Sequence, residues 1–166
     1  MSTAARPDEA TFRRVVGRFA TGVCVLTAVG PGQDQAMTAN AFTSVSLDPM
    51  LVLACVEVDA RFHDALLATG EWAVSILDET ARGVSDWLAT RGRPLTGQLD
   101  RVSFHRGPIT GAALIDSALG WLEVRTTAVH PAGDHSLVVG EVVGLQVGPG
   151  DAEPLLWYRG AYHKLA

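Results

Sequence analysis

Turn signals separate nearly every pair of apolar runs in this chain, and that spacing constrains its fold more than any other feature. Val23 to Val29 is a β-branched run stopped by Gly30-Pro31-Gly32. Asp48-Pro49 divides a Thr/Ser-rich run, Ala36 to Ser46, from a nearly continuous apolar run, Met50 to Glu57. Trp72, Val74 and Ile76 alternate with smaller residues. Leu119 to Val129 and Ser136 to Val147 flank the loop His130-Pro131-Ala132-Gly133-Asp134-His135. Leu155 to Tyr158 and Ala161 to Leu165 flank Arg159-Gly160. Strands joined this closely pair antiparallel, because a parallel pair needs a long crossover. The pattern predicts a mainly β chain of seven or eight strands that close into an antiparallel barrel, not a βαβ order. Met50 to Glu57, apolar along its length, is expected to be covered on both faces.

Three helices are expected beside the strands. Asp8 can cap one running to about Ala20, with Phe12, Val15, Val16 and Phe19 at i, i+3, i+4, i+7 on one face. Asp59 can cap a second through Ala68, closed by Gly70. Glu79 to Leu88 forms a third, with Val84, Trp87 and Leu88 on one side. Arg91 to Gly111, punctuated by glycine and proline, is the least regular stretch.

With 166 residues, the chain suits one domain spanning 1–166. Its 48% hydrophobic content excludes disorder. Thirteen basic against eighteen acidic residues give a net charge of -5, which argues against a nucleic-acid partner. Only 19% of residues are charged, a low value that hints at surface covered by another subunit. Cys24 and Cys55 lie in apolar runs without C-x-x-C spacing and read as buried small hydrophobes. The start, Met1 to Glu9, lacks the apolar core of a secretory signal, and no run reaches membrane-spanning length. A cytoplasmic protein without a membrane partner is therefore expected. The five histidines are scattered, so no metal site is expected.

Nucleotide motifs of the G-x-G-x-x-G and P-loop types are absent, as is a G-x-S-x-G elbow. Three segments stand out instead. Met37 to Pro49 is rich in small and hydroxyl residues and uncharged before Asp48. It reads either as an ordinary edge strand or as a platform on which a flat heterocycle lies close to the backbone. Asp59-Ala60-Arg61-Phe62-His63 marks a strand end and a helix start. Arg61 there is either a solvated charge or a grip on a phosphate, assisted by the helix N-terminus. Gly133-Asp134-His135 reads as hairpin-turn chemistry, with His135 either on the surface or overhanging a site on the sheet.

In this order the three segments resemble the flavin reductase family with the FMN-binding split-barrel fold, the reductase components of two-component flavin monooxygenases. The resemblance runs from Phe12 to Leu165. It includes Phe19-Ala20-Thr21-Gly22-Val23-Cys24-Val25-Leu26-Thr27, Gly140-Glu141-Val142-Val143 and Pro154 to Tyr162. It implies a Greek-key-like, homodimeric β-barrel that takes FMN or FAD and NADH or NADPH and passes reduced flavin to a monooxygenase. Thr38, Ala39 and Asn40 would lie along the isoalloxazine ring. Ser44, Val45 and Ser46 would serve the ribityl chain and phosphate. Cys55, Val56 and Glu57 would flank the ring or tail, and Arg61 with His63 would hold the phosphate. His135 would meet the nicotinamide nucleotide, with Tyr162 and Arg159 as further contributors. Arg91 and Arg93 depart from the family pattern and read either as phosphate contacts or as solvated loop charges.

Hydride transfer between two cofactors asks the protein for positioning rather than acid–base chemistry, so no catalytic residue is expected. Two other readings remain at this point. One is a flavoprotein with tightly bound FMN that reduces a substrate directly. The other is a non-catalytic flavin-binding module.

Overall fold

The computed structural model describes residues 7–165, so the reading of Met1 to Arg6 as free of a secretory signal lies outside the described residues. In chain order the strands are β1 (Thr21–Gly22), β2 (Cys24–Gly30), β3 (Gln33–Ala39), β4 (Phe42–Leu47), β5 (Met50–Glu57) and β6 (Glu71–Leu77). They continue with β7 (Phe104–Arg106), β8 (Ala113–Ile115), β9 (Ala118–Ala132), β10 (His135–Val147), β11 (Leu156–Tyr158) and β12 (Ala161–His163). The helices are α1 (Glu9–Val16), α2 (Arg61–Thr69) and α3 (Arg82–Ala89), the last preceded by a 3₁₀ turn at Glu79–Ala81.

The expected antiparallel β architecture is present. Seven strands form one sheet in the order β3-β2-β6-β9-β10-β5-β4, antiparallel at every step. The run Ala36 to Ser46, read as one stretch, breaks at Asn40-Ala41 into β3 and β4. These two strands stand at opposite ends of the sheet order yet are joined by only those two residues. Chain continuity therefore forces the sheet's two edges together at that corner and curls the sheet into a barrel. The Ala41 carbonyl also accepts from the Cys55 amide at 2.9 Å, which carries the corner onto β5.

Alternation along each strand fills two cores. Leu26, Val56, Trp72, Val74, Val124 and Val138 point into the barrel, and Phe62 and Leu66 of α2 pack against them. Each such side chain contributes roughly 1.5–3 kcal/mol on full burial. The buried Trp72 satisfies its indole N–H on Thr126 Oγ1 at 3.2 Å. Val25 of β2, and Val23 just before it, face the other way, into a second core with Ala36, Leu77, Leu88 and Ile115. Val84, Trp87 and Leu88 of α3 meet that core as one side of the helix, as their spacing requires.

Several expectations change. Asp8 does cap α1, accepting from the Thr11 amide at 2.8 Å, but the helix stops at Gly17 rather than Ala20. Among the described residues its apolar stripe stays largely uncovered: Phe12 is 62% exposed, and Phe19, beyond the helix, 78%. Asp59 does not cap α2; Ala60 occupies that position and no side chain bonds the first turn. Gly70 closes α2 in the left-handed region at φ 65°, as read. Strand β5 is not covered on both faces. Val52, Ala54 and Val56 are buried inward, while Leu51, Leu53, Cys55 and Glu57 remain half-buried outward. The β9–β10 hairpin is longer than its apolar runs, leaving only Gly133-Asp134 as its loop. Gly133 takes φ 66° at the first loop position, where a two-residue hairpin favours glycine. Cys24 is buried and its thiol is pushed up to about 12 by that burial, while Cys55 is half-buried and raised for the same reason.

Candidate functional site

Two adjoining cavities open beside β3. The larger, about 380 Å³, lies between β3, the end of β5, the start of α2 and the loop after α3. The smaller, about 210 Å³, is lined by Val23, Thr38, Ala39, Asn40, Ala89, Trp157 and Tyr162. Thr38 and Ala89 belong to both, so the two form one continuous trough.

The smaller cavity has the character of a ring site. Its floor is small because β3 ends in Thr38-Ala39-Asn40. Its wall is aromatic because the β11–β12 hairpin folds back, with Trp157 and Tyr162 edge to face at 4.9 Å. That hairpin turns through Arg159 and Gly160, both at positive φ, as a tight turn between short strands demands. Thr38 Oγ1 donates to the Ser85 carbonyl at 2.7 Å, and Ser85 Oγ lies 2.8 Å from the Tyr162 hydroxyl. This chain ties β3, α3 and β12 together. Partial burial pushes the Tyr162 phenol above its ordinary value. Asn40 Nδ2 donates to Thr21 Oγ1 at 3.3 Å.

The larger cavity has the character of an anion site. Arg61, Arg91 and Arg93 line it, against Glu57 and Asp59. The start of α2, left without a side-chain cap, opens at the same place with its positive dipole end. Arg61 Nη2 donates to the Arg93 carbonyl at 2.8 Å. Arg91 Nη2 donates to both Glu57 oxygens, at 2.9 and 2.8 Å. Arg93 is neither a free phosphate contact nor a solvated charge. It donates to the carbonyls of Leu88 and Thr90 at the end of α3 and to Ala36 of β3, where a helix terminus favours a cation. Burial, and then the neighbouring Arg61, lower its pKa.

The Gly133-Asp134-His135 turn lies beside this cavity, opposite Glu57, without lining it. The Asp134 carbonyl accepts from the Val58 amide at 3.0 Å. His135 Nδ1 lies 2.8 Å from Asp134 Oδ1, which leaves Nε2 for another partner. The same hydrogen bond holds the Asp134 carboxyl below its ordinary range.

Thr38, Ala39, Asn40, Glu57, Arg61 and Tyr162 therefore gather along the trough, with His135 beside it. The other candidates stand elsewhere. Ser44, Val45 and Ser46 lie on the exposed edge strand β4, with a bulge at Val45, outside both cavities. Cys55 sits half-buried on the outer face of β5, across from Leu137. The Val56 side chain is wholly interior and leaves only its backbone for a ligand. His63 is buried with Nε2 2.9 Å from Ser136 Oγ, because two residues along a helix turn it roughly 200° away from Arg61. Arg159 lies in its hairpin turn, its amide bonded to the Gly17 carbonyl at 2.8 Å.

Three lining or supporting residues escaped the sequence reading: Trp157, Ser85 and Gln98. Gln98 Nε2 donates to Gln35 Oε1 at 3.0 Å across 63 positions of sequence, a pairing no local pattern signals. Trp157 was legible in part, since it follows buried Leu155 at the two-residue strand period.

A small-floored aromatic pocket beside a guanidinium-lined one suits a ligand that joins a flat ring to an anionic group. Residues 16–166 match the flavin reductase like domain, and the chain belongs to that family. It is 39% identical over 160 residues to an NADH-dependent FAD reductase of Streptomyces globisporus, covering 96% of this chain and 87% of that protein. It is 33% identical over 159 residues to the reductase subunit HsaB of a Mycobacterium tuberculosis flavin-dependent monooxygenase, covering 95% and 83%. Among solved structures, it superposes with a TM-score of 0.89 on BorF, the flavin reductase component of a bacterial two-component tryptophan halogenase. That pair is 42% identical over 95% of this chain and 98% of the other.

Proposed function

We propose that this protein is a flavin reductase that oxidises NADH or NADPH, reduces FAD or FMN, and releases the reduced flavin to a monooxygenase. The observation that carries the reading is the trough itself. Its ring-sized, aromatic-walled end and its cationic end meet at Thr38 and Ala89. Flavin and dihydronicotinamide supply the redox chemistry, the hydride leaving one ring for the other. The chain binds and orients them. Thr38, Ala39 and Asn40 give a flat seat without bulky side chains, and Trp157 with Tyr162 walls it. Arg61 and the open first turn of α2 hold the phosphate, and His135 meets the nicotinamide nucleotide from beside the cavity.

Homodimerisation belongs to the same proposal. Phe12, Val15 and Val16 on α1, Phe19 just beyond it, and Leu47 and Met50 at the β4–β5 turn present apolar surface that a second copy would cover. In such a dimer Ser44, Val45, Ser46 and Cys55 would face the seam, within reach of a flavin tail. The two cores share β2, which supports one domain spanning 1–166. Among the described residues no helix is long and apolar enough to cross a membrane, which accords with a cytoplasmic site of action.

The test is an activity matrix of NADH and NADPH against FMN and FAD. A rate that rises with free flavin is expected. NADH oxidation without added flavin would instead mean a tightly held flavin, and no oxidation with any pair would reject turnover.

A further inference from the structure

The three guanidiniums around the larger cavity are committed to very different degrees. Arg93 gives both terminal nitrogens to main-chain carbonyls of α3 and β3, and its Nε is buried away from solvent. Arg61 gives one nitrogen to the Arg93 carbonyl and keeps its other donors. Arg91 stands on the loop after α3 with its side chain 84% exposed, and its one partner among the described residues is Glu57. An exposed ion pair of this kind is weakly held and is screened by salt. A phosphate oxygen pair, by contrast, matches the planar guanidinium fork.

Arg61 and Arg91 approach the cavity from separate walls, one from the first turn of α2 and one from the loop that ends α3. A single phosphate would be satisfied by Arg61 and the uncapped amides of α2. A second phosphate needs a second cation, and Arg91 is the remaining one on the cavity lining. We propose that Arg91 exchanges Glu57 for the second phosphate of a flavin dinucleotide and so sets a preference for FAD over FMN. Glu57 is the counter-ion that Arg91 gives up. A third of its side chain is open to water, so it is rehydrated when released. This inference rests on the flavin reductase reading above.

The test measures dissociation constants for FAD and FMN by quenching of flavin fluorescence, in wild type, R91A and E57Q. For R91A the ratio of the FAD to the FMN constant is expected to rise about tenfold, the effect of losing one charged hydrogen-bonding partner. For E57Q, which removes the competing carboxylate, the ratio is expected to fall about threefold. Equal weakening of both flavins by R91A, or no weakening of either, would overturn the inference. So would a loss that falls on the KM for NADPH or NADH instead. A wild-type protein that binds neither flavin would fail the reductase reading itself. A wild type that reduces both, with the ratio unmoved in R91A, would fail only the assignment of Arg91.

Discussion

His135 stands directly opposite Glu57 across the ladder between β10 and β5. Residues so paired share a face of the sheet, with their Cβ atoms about 5 Å apart. Glu57 in turn is bonded to Arg91. Segments near positions 57, 91 and 135 thus meet at one place beside the larger cavity.

Replacing His135 with alanine is expected to raise the KM for NADH about five- to tenfold, the effect of one polar contact to a charged ligand. FMN affinity should move far less, because His135 lines neither cavity. Steady-state kinetics with both substrates varied would check this. A flavin effect larger than the NADH effect would remove His135 from the nicotinamide side.

Arg61→Ala should weaken FMN and FAD about tenfold or more, as expected for a charge-assisted contact to phosphate. Riboflavin, which carries no phosphate, supplies the control. If riboflavin weakened as much as FMN, Arg61 would be acting on the ring or on the fold and not on the phosphate.

Arg93→Ala is a stability variant. It removes the donors that close the end of α3 and bridge it to the Ala36 carbonyl. The free energy of unfolding should fall by about 1–3 kcal/mol, since buried carbonyls lose a charged partner. Denaturant titration reads this directly, and an unchanged midpoint would deny the clamp.

Asp116 gives a pH-dependent prediction. Hydrogen bonds from Ser103 Oγ and then His105 Nδ1 hold its pKa below the ordinary 3.8. A carboxyl depressed in the folded state stabilises the fold above its unfolded pKa and loses that contribution as pH falls through the lower folded value. Wild type should therefore be more stable than D116N at neutral pH, with the gap closing as the solution is acidified below about 3.8. A gap that persists at the lowest pH would mean that the charge of Asp116 does not matter.

The strand segments were readable because turn residues bound them, so Met50–Glu57 and the long β9–β10 hairpin stand near their expected places. The split at Asn40-Ala41 was not, because nothing local distinguishes a small-residue strand from two strands meeting at a corner. That Thr38, Ala39 and Asn40 share one cavity follows from their adjacency at the end of β3, and it is the resemblance that suggests what they would seat. The placement of His63 was not, because a residue's side of a short helix depends on what the helix packs against. Arg93 was hidden for a related reason: its partners are main-chain carbonyls, which carry no signature in the side-chain sequence.

The corner at Asn40-Ala41 has one more consequence. The stretch proposed to seat the ring is also the hinge pin on which the two free edges of the sheet are hung. A ligand lying along Thr38 to Asn40 therefore acts as a clasp, and loading the trough should slow the breathing of strands that never touch it.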